Sequence, residues 1–502
     1  MSPSEHKKRT GVGPLTLGAI ALLGAGAIVA VLVARPPARP EVPVRPTRDG
    51  PAPPAVGASR YLLIGGGSVP ELNQVSIEQD IALAREVLGN DPYVLFAGGP
   101  GSNGVQVLDP EPRGDPLLRD LGQLFDPRGA RDAHYRATTL AVRGAASATE
   151  ALATIRHALS NGRGPLFVYL TTHGSQGETP RENTLAMWGD SDLDAVDLAT
   201  ALDGAPEGRR TRIVIDSCYA GGFADIAFVR ADEAAGPPAR DRCGFFAATW
   251  DREATGCDPD PDRHAHESYG LHFFHALRRQ ARDGTPLGPE AVDFDGDGRV
   301  SLLEAHSRVR IASRSIDVPT TTSERWLRHA APADGPKSPV RLPEEDAVIA
   351  AIAGELGIAD RLGDARALLE QARADLTAAE DRAGDAEDVE NDFARRTSAV
   401  LLARWPALDD PWHPDFAETL ARNRDAIAAT LDESEEFRMY RRADEEAERR
   451  STELEATELR TAPLERLVRA LDTEELAARL HAAGGRDWSH YERLLACERS
   501  AP

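Results

Sequence analysis

Short apolar runs alternate with amphipathic segments between residues 60 and 315. The amphipathic segments have the three- and four-residue spacing of helices, and the apolar runs are rich in β-forming residues and end in turn residues. Runs of this kind are typical of parallel strands that are buried on both faces. The alternation predicts an α/β domain over residues 58–330, with a mainly parallel central sheet flanked by helices.

The strand pattern stops after about Pro343. Residues 344–502 are rich in Ala, Glu and Arg with scattered apolar positions, which predicts a helical and partly coiled C-terminal region. No catalytic motif lies there. The region is either an accessory or a part of the site, and its helices offer a binding surface to a protein partner.

The N-terminal residues have the pattern of a membrane anchor. A short basic segment (residues 1–12) precedes an apolar run at 13–34 that is long enough to span a bilayer, and a Pro-rich linker (35–57) follows. A cleaved signal peptide is the alternative, but the length of the run and the poor cleavage site favour an uncleaved anchor. The Ala-, Gly- and Arg-rich composition suggests a bacterial source. We therefore expect a single-pass protein of the bacterial inner membrane with its body in the periplasm.

Charge and cysteine content argue against a nucleic-acid-binding protein and against a small disulfide-stabilised protein. The net charge of −23 argues against a nucleic-acid partner, because phosphate binding needs an excess of Lys and Arg. Four cysteines are too few for a disulfide scaffold. A Cys243–Cys257 or a Cys257–Cys497 disulfide would suit an oxidising periplasm, and Cys497 is equally well explained as a packed helix residue.

Two of the apolar runs end in residues with catalytic potential. LFVYLTT leads into His173 and Gly174, and TRIVIDS leads into Cys218. The carboxyl ends of parallel strands meet at one edge of the sheet, where ligands of such sheets bind. Each residue alone is more often a turn or core residue. Together they favour a catalytic pair, because a cysteine needs a base to become a nucleophile and a backbone N–H beside that base can stabilise an oxyanion.

At these residues the sequence resembles the caspase-fold cysteine peptidases, and the legumain-like branch fits best. YLTTHGS and VIDSCYAGG are similar to the His-Gly and Asp-x-Cys blocks, while YLLIGGGSVPELNQVSIEQD and GFFAATWDREATGC are similar to the opening strand and the pocket-forming strand. The resemblance covers about residues 60–315. It implies a caspase-like sandwich and a cysteine endopeptidase that cleaves peptide or protein substrates without an organic cofactor.

The resemblance also implies roles for single residues. His173 would be the general base, Cys218 the nucleophile, and the N–H groups of Gly174 and Cys218 the oxyanion donors. Asn73 would orient the histidine. The reaction would be thiolate attack on a peptide carbonyl, followed by hydrolysis of the thioester acyl-enzyme.

The resemblance does not extend to the residues that set cleavage specificity in legumains. Val75 lies near the position where legumains carry a pocket arginine, and Tyr219 replaces their acidic residue after the nucleophile. Three residues are candidates for the substrate-pocket wall, with plain loop residues as the alternative: Trp250, Glu253 and Thr255. The departures keep open a non-catalytic caspase-fold binding module, and a transpeptidase or ligase would use the same acyl-enzyme.

A calcium loop is predicted at residues 293–304. The segment DFDGDGRVSLLE matches D-x-[DN]-x-[DN]-G-x₅-E throughout. The segment before it is a poor incoming helix, so a structural Ca²⁺ is expected rather than a sensor, and an acidic surface loop is the alternative. The ligands would be Asp293, Asp295, Asp297, the Arg299 carbonyl, Ser301 and a bidentate Glu304.

Two weaker signals do not point to further cofactors. GPGSNG at residues 99–104 lacks the following helix that a dinucleotide-binding loop requires. His264 and His266 have no nearby set of ligands that would complete a zinc site, so we expect loop residues there.

Overall fold

The structure is a computed structural model that describes residues 60–89, 91–108, 115–125, 133–162, 164–189, 191–264, 267–409 and 413–502. The expected basic N-terminus, anchor and linker lie outside these residues. Within the described part of the chain, no helix is both long and apolar enough to cross a membrane.

Eleven strands and twelve α-helices are formed by the described residues. The strands are β1 (Tyr61–Gly65), β2 (Tyr93–Phe96), β3 (Val105–Leu108), β4 (Ala133–Arg136), β5 (Leu166–Thr171), β6 (Gly174–Ser175), β7 (Thr184–Met187), β8 (Ser191–Asp194), β9 (Thr211–Asp216), β10 (Arg242–Phe246) and β11 (Thr320–Thr321). The helices are α1 (Val75–Leu88), α2 (Pro116–Phe125), α3 (Ala148–Asn161), α4 (Ala195–Asp203), α5 (Tyr269–Leu277), α6 (Leu302–Ala312), α7 (Thr322–Ala330), α8 (Pro343–Glu355), α9 (Ala365–Leu402), α10 (Phe416–Glu433), α11 (Glu435–Ala483) and α12 (Gly485–Glu498).

A six-stranded sheet with the order β11-β10-β9-β5-β1-β2 forms the centre of the domain. Its strands pair in parallel except at one edge, where β11 runs antiparallel to β10. From β1 the chain goes first to β2 on one side and then to β5 on the other, so the direction of winding reverses between β1 and β5. The prediction of an α/β domain with a mainly parallel sheet is confirmed. Ligands of such sheets bind where the direction of winding reverses.

Both faces of the sheet are covered, which explains why its strands are apolar throughout. Successive side chains of a strand point to opposite faces. In β5, Phe167 and Tyr169 therefore join the core beneath α1, α5 and α6, whereas Val168 and Leu170 join the core beneath α3 and α4. The amino ends of α3, α4 and α5 are capped by the polar side chains of Ser147, Asp194 and Ser268, respectively.

The C-terminal residues are helical, as predicted, and they pack against the α/β domain at several places. Leu467 and Val468 of α11 share a core with α8, and α12 packs with Trp326 of α7. Near the other end of α11, Phe437 and Tyr440 share a core with α2 and α9. The long helices α9 and α11 thus lie across the domain instead of extending from it.

A Cys243–Cys497 disulfide joins β10 to α12. The structure therefore has neither of the pairings that the sequence left open, Cys243–Cys257 and Cys257–Cys497, and Cys497 is not merely a packed helix residue. Because α12 packs beside β10, it brings together two cysteines that are separated by 254 positions, and Cys257 remains a free thiol. Beside the disulfide, the buried Glu498 carboxylate accepts hydrogen bonds from Thr322 and Ser323 at the start of α7.

We predict that Cys497→Ser lowers the free energy of unfolding by about 2–5 kcal/mol, because the crosslink no longer restricts the unfolded chain. Thermal denaturation with and without dithiothreitol checks this prediction. Reductant should lower the melting temperature of the wild-type protein and leave that of Cys497→Ser unchanged. Cys257→Ser is the matched control and should keep the response to reductant; a wild-type protein that ignores reductant contradicts the prediction.

Candidate active site

The pairing of β5 with β9 places His173 beside Cys218. Thr171 lies opposite Asp216 in the parallel register, and His173 and Cys218 each follow two residues later at the carboxyl edge. A Cβ atom on Gly174 would overlap the carbonyl oxygen of Cys218 and lie 2.6 Å from Ser217 Oγ. The structure therefore brings the two predicted blocks into direct contact, and only glycine fits at position 174.

The Cys218 thiol is half-buried and contacts the next loop of the chain. Its Sγ lies 3.3 Å from the Ala254 carbonyl oxygen and 3.4 Å from the Ala254 nitrogen. Burial, followed by the nearby Glu253 carboxylate, raises the pKa of Cys218 to about 12. In this state the residue is a protonated thiol at neutral pH.

The His173 ring is held by the loop that follows β1. Its Nε2 lies 2.9 Å from Gln74 Oε1, and the backbone of Leu72 also hydrogen-bonds to the ring. Burial lowers the pKa of His173 to about 4, which the Leu72 hydrogen bond partly offsets. The imidazole is therefore neutral at pH 7, as a general base must be. Among the described residues, no hydrogen bond joins this ring to the Cys218 sulfur.

Within the described residues, Asn73 makes no hydrogen bond to the His173 ring, so the expectation that it orients the ring requires correction. Its buried side chain accepts a hydrogen bond from the Gly67 nitrogen at 3.2 Å and donates one to the Gly104 carbonyl at 3.0 Å. The next residue along the chain, Gln74, reaches the ring instead. The Asn-Gln pair in the sequence marks the position, but the spacing of residues does not say which amide faces the site.

Backbone geometry leaves the Gly174 N–H without a partner on β7. Because the Ala186 nitrogen donates to the His173 carbonyl, the next pair, Gly174 with Leu185, is a non-hydrogen-bonded pair. The N–H of Gly174 therefore points away from β7.

After Cys218 the chain turns sharply at Tyr219, which has the left-handed φ of 58°. Conformations of this kind are strained for residues other than glycine and cluster at functional sites.

The candidate wall residues lie on the loop that touches the sulfur. Glu253 precedes Ala254 and accepts a hydrogen bond from the Tyr219 hydroxyl at 2.9 Å, and burial raises the pKa of Glu253. Thr255 follows Ala254 and donates to Asp317 from its nitrogen and its hydroxyl. Trp250 lies at the start of the loop and accepts a hydrogen bond at its carbonyl.

A further buried amide, Asn183, connects the loops of the site. Asn183 is fully buried and donates to the carbonyls of Tyr219 and Trp250, at 2.9 and 2.7 Å. Its Oδ1 accepts from the Gly177 nitrogen at 2.9 Å. No motif marks this residue, because its partners lie 36 and 67 positions away along the chain.

Helix α11 reaches the same loop from the C-terminal region. Arg252 donates to the buried Glu465 carboxylate at 2.6 Å, and the neighbouring Arg466 donates to the carbonyls of the segment after α6. Burial, followed by Glu253, raises the pKa of Glu458 to about 7. The helical region therefore contributes to the surroundings of the candidate site.

The predicted calcium loop brings three carboxylates together. One carboxylate oxygen from each of Asp293, Asp295 and Asp297 lies within 4.8 Å of the other two. Gly298 has the left-handed φ of 86° that the turn requires. Glu304 instead accepts backbone hydrogen bonds from Phe294, Asp295 and Ser301, and with Ser301 it caps α6. The Arg299 nitrogen donates to Asp297. Glu304 would have to give up some of these bonds to bind a cation, and the calcium site stays a prediction.

The remaining sequence signals lead to loops. His264 is exposed and donates from its backbone nitrogen to Asp262, while His266 lies outside the described residues. The GPGSNG segment leads into β3 and not into a helix.

Comparison with known proteins leaves the family open. No protein-family profile matches the sequence, and no curated protein matches it. A structural neighbour is protein GSU0716 from Geobacter sulfurreducens, at 13% identity and a TM-score of 0.27, over 52% of this chain and 91% of that one. A similarity this distant carries no argument about fold or function.

We predict that Gly174→Ala lowers the free energy of unfolding by about 1–3 kcal/mol, because the added methyl group would collide with the backbone of Cys218. Chemical denaturation measures the change. Gly384→Ala is the matched control: it lies on the exposed face of α9 with open space around it, and should stabilise the protein by up to about 1 kcal/mol. Equal stability of wild type and Gly174→Ala would refute the close approach.

Proposed function

We propose that this chain is a membrane-anchored cysteine endopeptidase of the caspase fold, which hydrolyses peptide bonds through His173 and Cys218. The observation that carries the proposal is the register of β5 on β9, which sets the two residues side by side at the carboxyl edge of the sheet. The strand order, with one antiparallel edge strand, suits the caspase-like sandwich that the sequence resemblance implies. The anchor at residues 13–34 and a periplasmic body remain part of the proposal.

The mechanism starts from a neutral pair. His173 is unprotonated and Cys218 is protonated at pH 7, so proton transfer accompanies attack on the substrate instead of preceding it. Sγ leaves its contacts with Ala254 and forms a bond to the peptide carbonyl carbon. Its proton goes to the unprotonated imidazole nitrogen, which must first leave its oxygen partner in the loop after β1. The N–H groups of Gly174 and Cys218 stabilise the oxyanion.

Collapse of this intermediate breaks the C–N bond. The protonated His173 gives its proton to the leaving amine, so that a thioester to Cys218 remains and the imidazole is neutral again. His173 then takes a proton from water as the water attacks the thioester carbonyl, and returns it to the sulfur as the acid product leaves. An amine in place of water would make the enzyme a transpeptidase.

A catalytically inactive binding module is the second candidate. Two observations favour it. The Cys218 thiol has a high pKa, and within the described residues no hydrogen bond joins the His173 ring to the sulfur. In that case the surface around Cys218 would bind a peptide without cleaving it, and the C-terminal helices would recruit a protein partner.

We also propose a structural Ca²⁺ at residues 293–304. Asp293, Asp295 and Asp297 would hold it, with Glu304 as a further ligand and oxygens from Arg299 and Ser301 completing the set. The bound cation would neutralise three adjacent carboxylates and fasten the loop to the start of α6.

We predict that Cys218→Ala lowers turnover of a peptide library by about 10³-fold or more, because the nucleophile is lost. His173→Ala should lower turnover by about 10²–10⁴-fold, the usual contribution of a general base. The measurement is kcat/KM of the full-length protein in detergent, with Cys257→Ser as the control that retains activity. Undiminished hydrolysis by Cys218→Ala, or no hydrolysis by the wild type, would overturn the peptidase assignment.

Calcium should raise the melting temperature of the full-length protein, because a ligand that binds only the native state stabilises it, by about 2.7 kcal/mol at a concentration of 100 times Kd. Differential scanning fluorimetry with calcium and with chelator measures the shift. Asp295→Ala should abolish the shift, and the exposed Asp334→Ala, outside the loop, should keep it. A melting curve that does not respond to chelation would remove the metal from this account.

A further inference from the structure

One peptide group connects a buried carboxylate to the Cys218 sulfur. The Thr255 nitrogen donates to Asp317 Oδ1 at 2.7 Å, and the Thr255 hydroxyl donates to the same oxygen at 3.0 Å. At the other side of this peptide group, the Ala254 carbonyl oxygen accepts from the Cys218 thiol at 3.3 Å. The described residues contain no cis peptide bond, so the C=O and N–H of this planar group point in opposite directions. Fixing the Thr255 N–H therefore aims the Ala254 carbonyl at the sulfur.

The carboxylate that fixes this peptide group is charged although it is buried. Asp317 is 0% exposed, and among the described residues its Oδ2 has no hydrogen-bond partner. Burial raises the pKa of Asp317 to about 6, although the Thr255 nitrogen and the Arg466 charge lower it, so the carboxylate is largely ionised at pH 7. A buried charge is costly, and a neutral oxygen could accept both Thr255 bonds. The negative charge therefore calls for an explanation beyond the holding of Thr255.

Helix α11 fixes the segment that carries this carboxylate. Arg466 is 3% exposed and donates to the carbonyls of Arg310, Ser313 and Ser315, at 3.1, 3.0 and 2.7 Å. Ser315 Oγ in turn accepts from the Asp317 nitrogen at 3.2 Å. The Arg466 guanidinium also supplies the positive charge that partly offsets the carboxylate. The position of Asp317 therefore depends on the C-terminal helical region.

This arrangement favours the thiol over the thiolate at Cys218. An ionised acceptor on the N–H of a peptide group polarises the carbonyl oxygen, which then accepts a stronger hydrogen bond. A thiol can donate to that oxygen, whereas a thiolate cannot. Burial raises the pKa of Cys218 to about 12, the charges of Glu253 and Asp317 add to the rise, and the Ala254 N–H opposes it only in part. Because the thiolate is the reactive form, Cys218 is unreactive in this position.

We propose that Asp317 is a positioning residue for the nucleophile: through the Ala254–Thr255 peptide group it holds Cys218 as a protonated thiol in a resting position. Arg466 in turn holds Asp317, which makes α11 part of the site. A bound substrate would draw the sulfur away from this carbonyl and toward the imidazole, and until then the thiol is protected from oxidants. The inference rests on the proposed peptidase function.

Alkylation of the full-length protein in detergent tests this proposal. The rate of iodoacetamide addition at pH 8 is measured separately for the peptides that contain Cys218 and Cys257, by mass spectrometry after proteolysis. Wild-type Cys218 should react about 100-fold or more slower than a free cysteine, whose pKa is about 8.5. A Cys218 that reacts as fast as a free cysteine would overturn the proposal.

Two substitutions at position 317 separate the hydrogen bonds from the charge. Asp317→Asn removes the charge but keeps an oxygen for both Thr255 bonds, and should speed alkylation of Cys218 by about 3–10-fold. Asp317→Ala also frees the peptide group and should speed it by about 30-fold or more. Equal rates in the two variants would reduce the effect to charge alone and overturn the positioning role, as would wild-type rates in both. Asp251→Asn removes an exposed charge from the same loop and is the matched control, which should keep the wild-type rate.

A variant on α11 tests the second half of the proposal without a change at position 317. Arg466→Lys keeps the positive charge, but one ammonium group cannot bind three carbonyls as the planar guanidinium does. It should speed alkylation of Cys218 by about 3–10-fold. A wild-type rate in this variant would remove α11 from the site.

The infrared S–H band reports on the hydrogen bond itself. In a Cys257→Ser background Cys218 carries the one remaining thiol, because Cys243 and Cys497 form the disulfide. The band should keep its wild-type position in Asp317→Asn and move toward that of a free thiol in Asp317→Ala. A band that stays in place in Asp317→Ala would show that the carbonyl does not need the carboxylate, and would overturn the positioning role.

Hydrolysis of a peptide library by the same preparations keeps this proposal apart from the one beneath it. Cys218-dependent cleavage together with alkylation rates that ignore position 317 would overturn the positioning role and leave the peptidase standing. Alkylation that depends on Asp317 as expected, without any Cys218-dependent cleavage, would overturn the proposed function while the held thiol remains.

Discussion

The site depends on the pairing of β5 with β9. Because successive side chains of a strand point to opposite faces, a slip of one residue would exchange the two apolar cores and separate His173 from Cys218. Polar contacts hold the register: the Tyr169 hydroxyl donates to the Asp216 carboxylate at 3.2 Å, and the Gly270 nitrogen donates to the same oxygen at 2.7 Å. The contact of Gly174 with Cys218 is possible only in this register.

The remaining parts of the site converge on that edge through side chain to backbone hydrogen bonds. Asn73 organises the loop after β1, and Asn183 connects the loops after β6, after β9 and after β10. Helix α11 braces the last of these loops through Arg252 and Glu465. The disulfide and the buried Glu498 fasten the end of the chain to β10 and α7. The nucleophile is therefore surrounded by segments from both the α/β domain and the helical region.

The central sheet and the positions of His173 and Cys218 could be predicted from sequence because the signals are local. An apolar run specifies a buried strand, and the residues at its end specify what the sheet edge carries. Gln74, Asn183, Asp317 and the Cys243–Cys497 bond could not be predicted in this way. Their roles depend on side-chain direction or on contacts between distant segments, which neither periodicity nor spacing records. The calcium site stays a prediction: the three aspartates lie together, while Glu304 binds backbone nitrogens.

The most direct test of the account is to trap the covalent intermediate. The full-length protein is mixed with an activated ester of an acylated amino acid, quenched in acid within milliseconds to seconds, and mapped by mass spectrometry after proteolysis. The account predicts one acyl group as a thioester on the peptide that contains Cys218, a similar adduct in Cys257→Ser, and a much slower formation in His173→Ala. An adduct elsewhere, or an adduct on Cys218 that forms equally fast without His173, would contradict the catalytic pair.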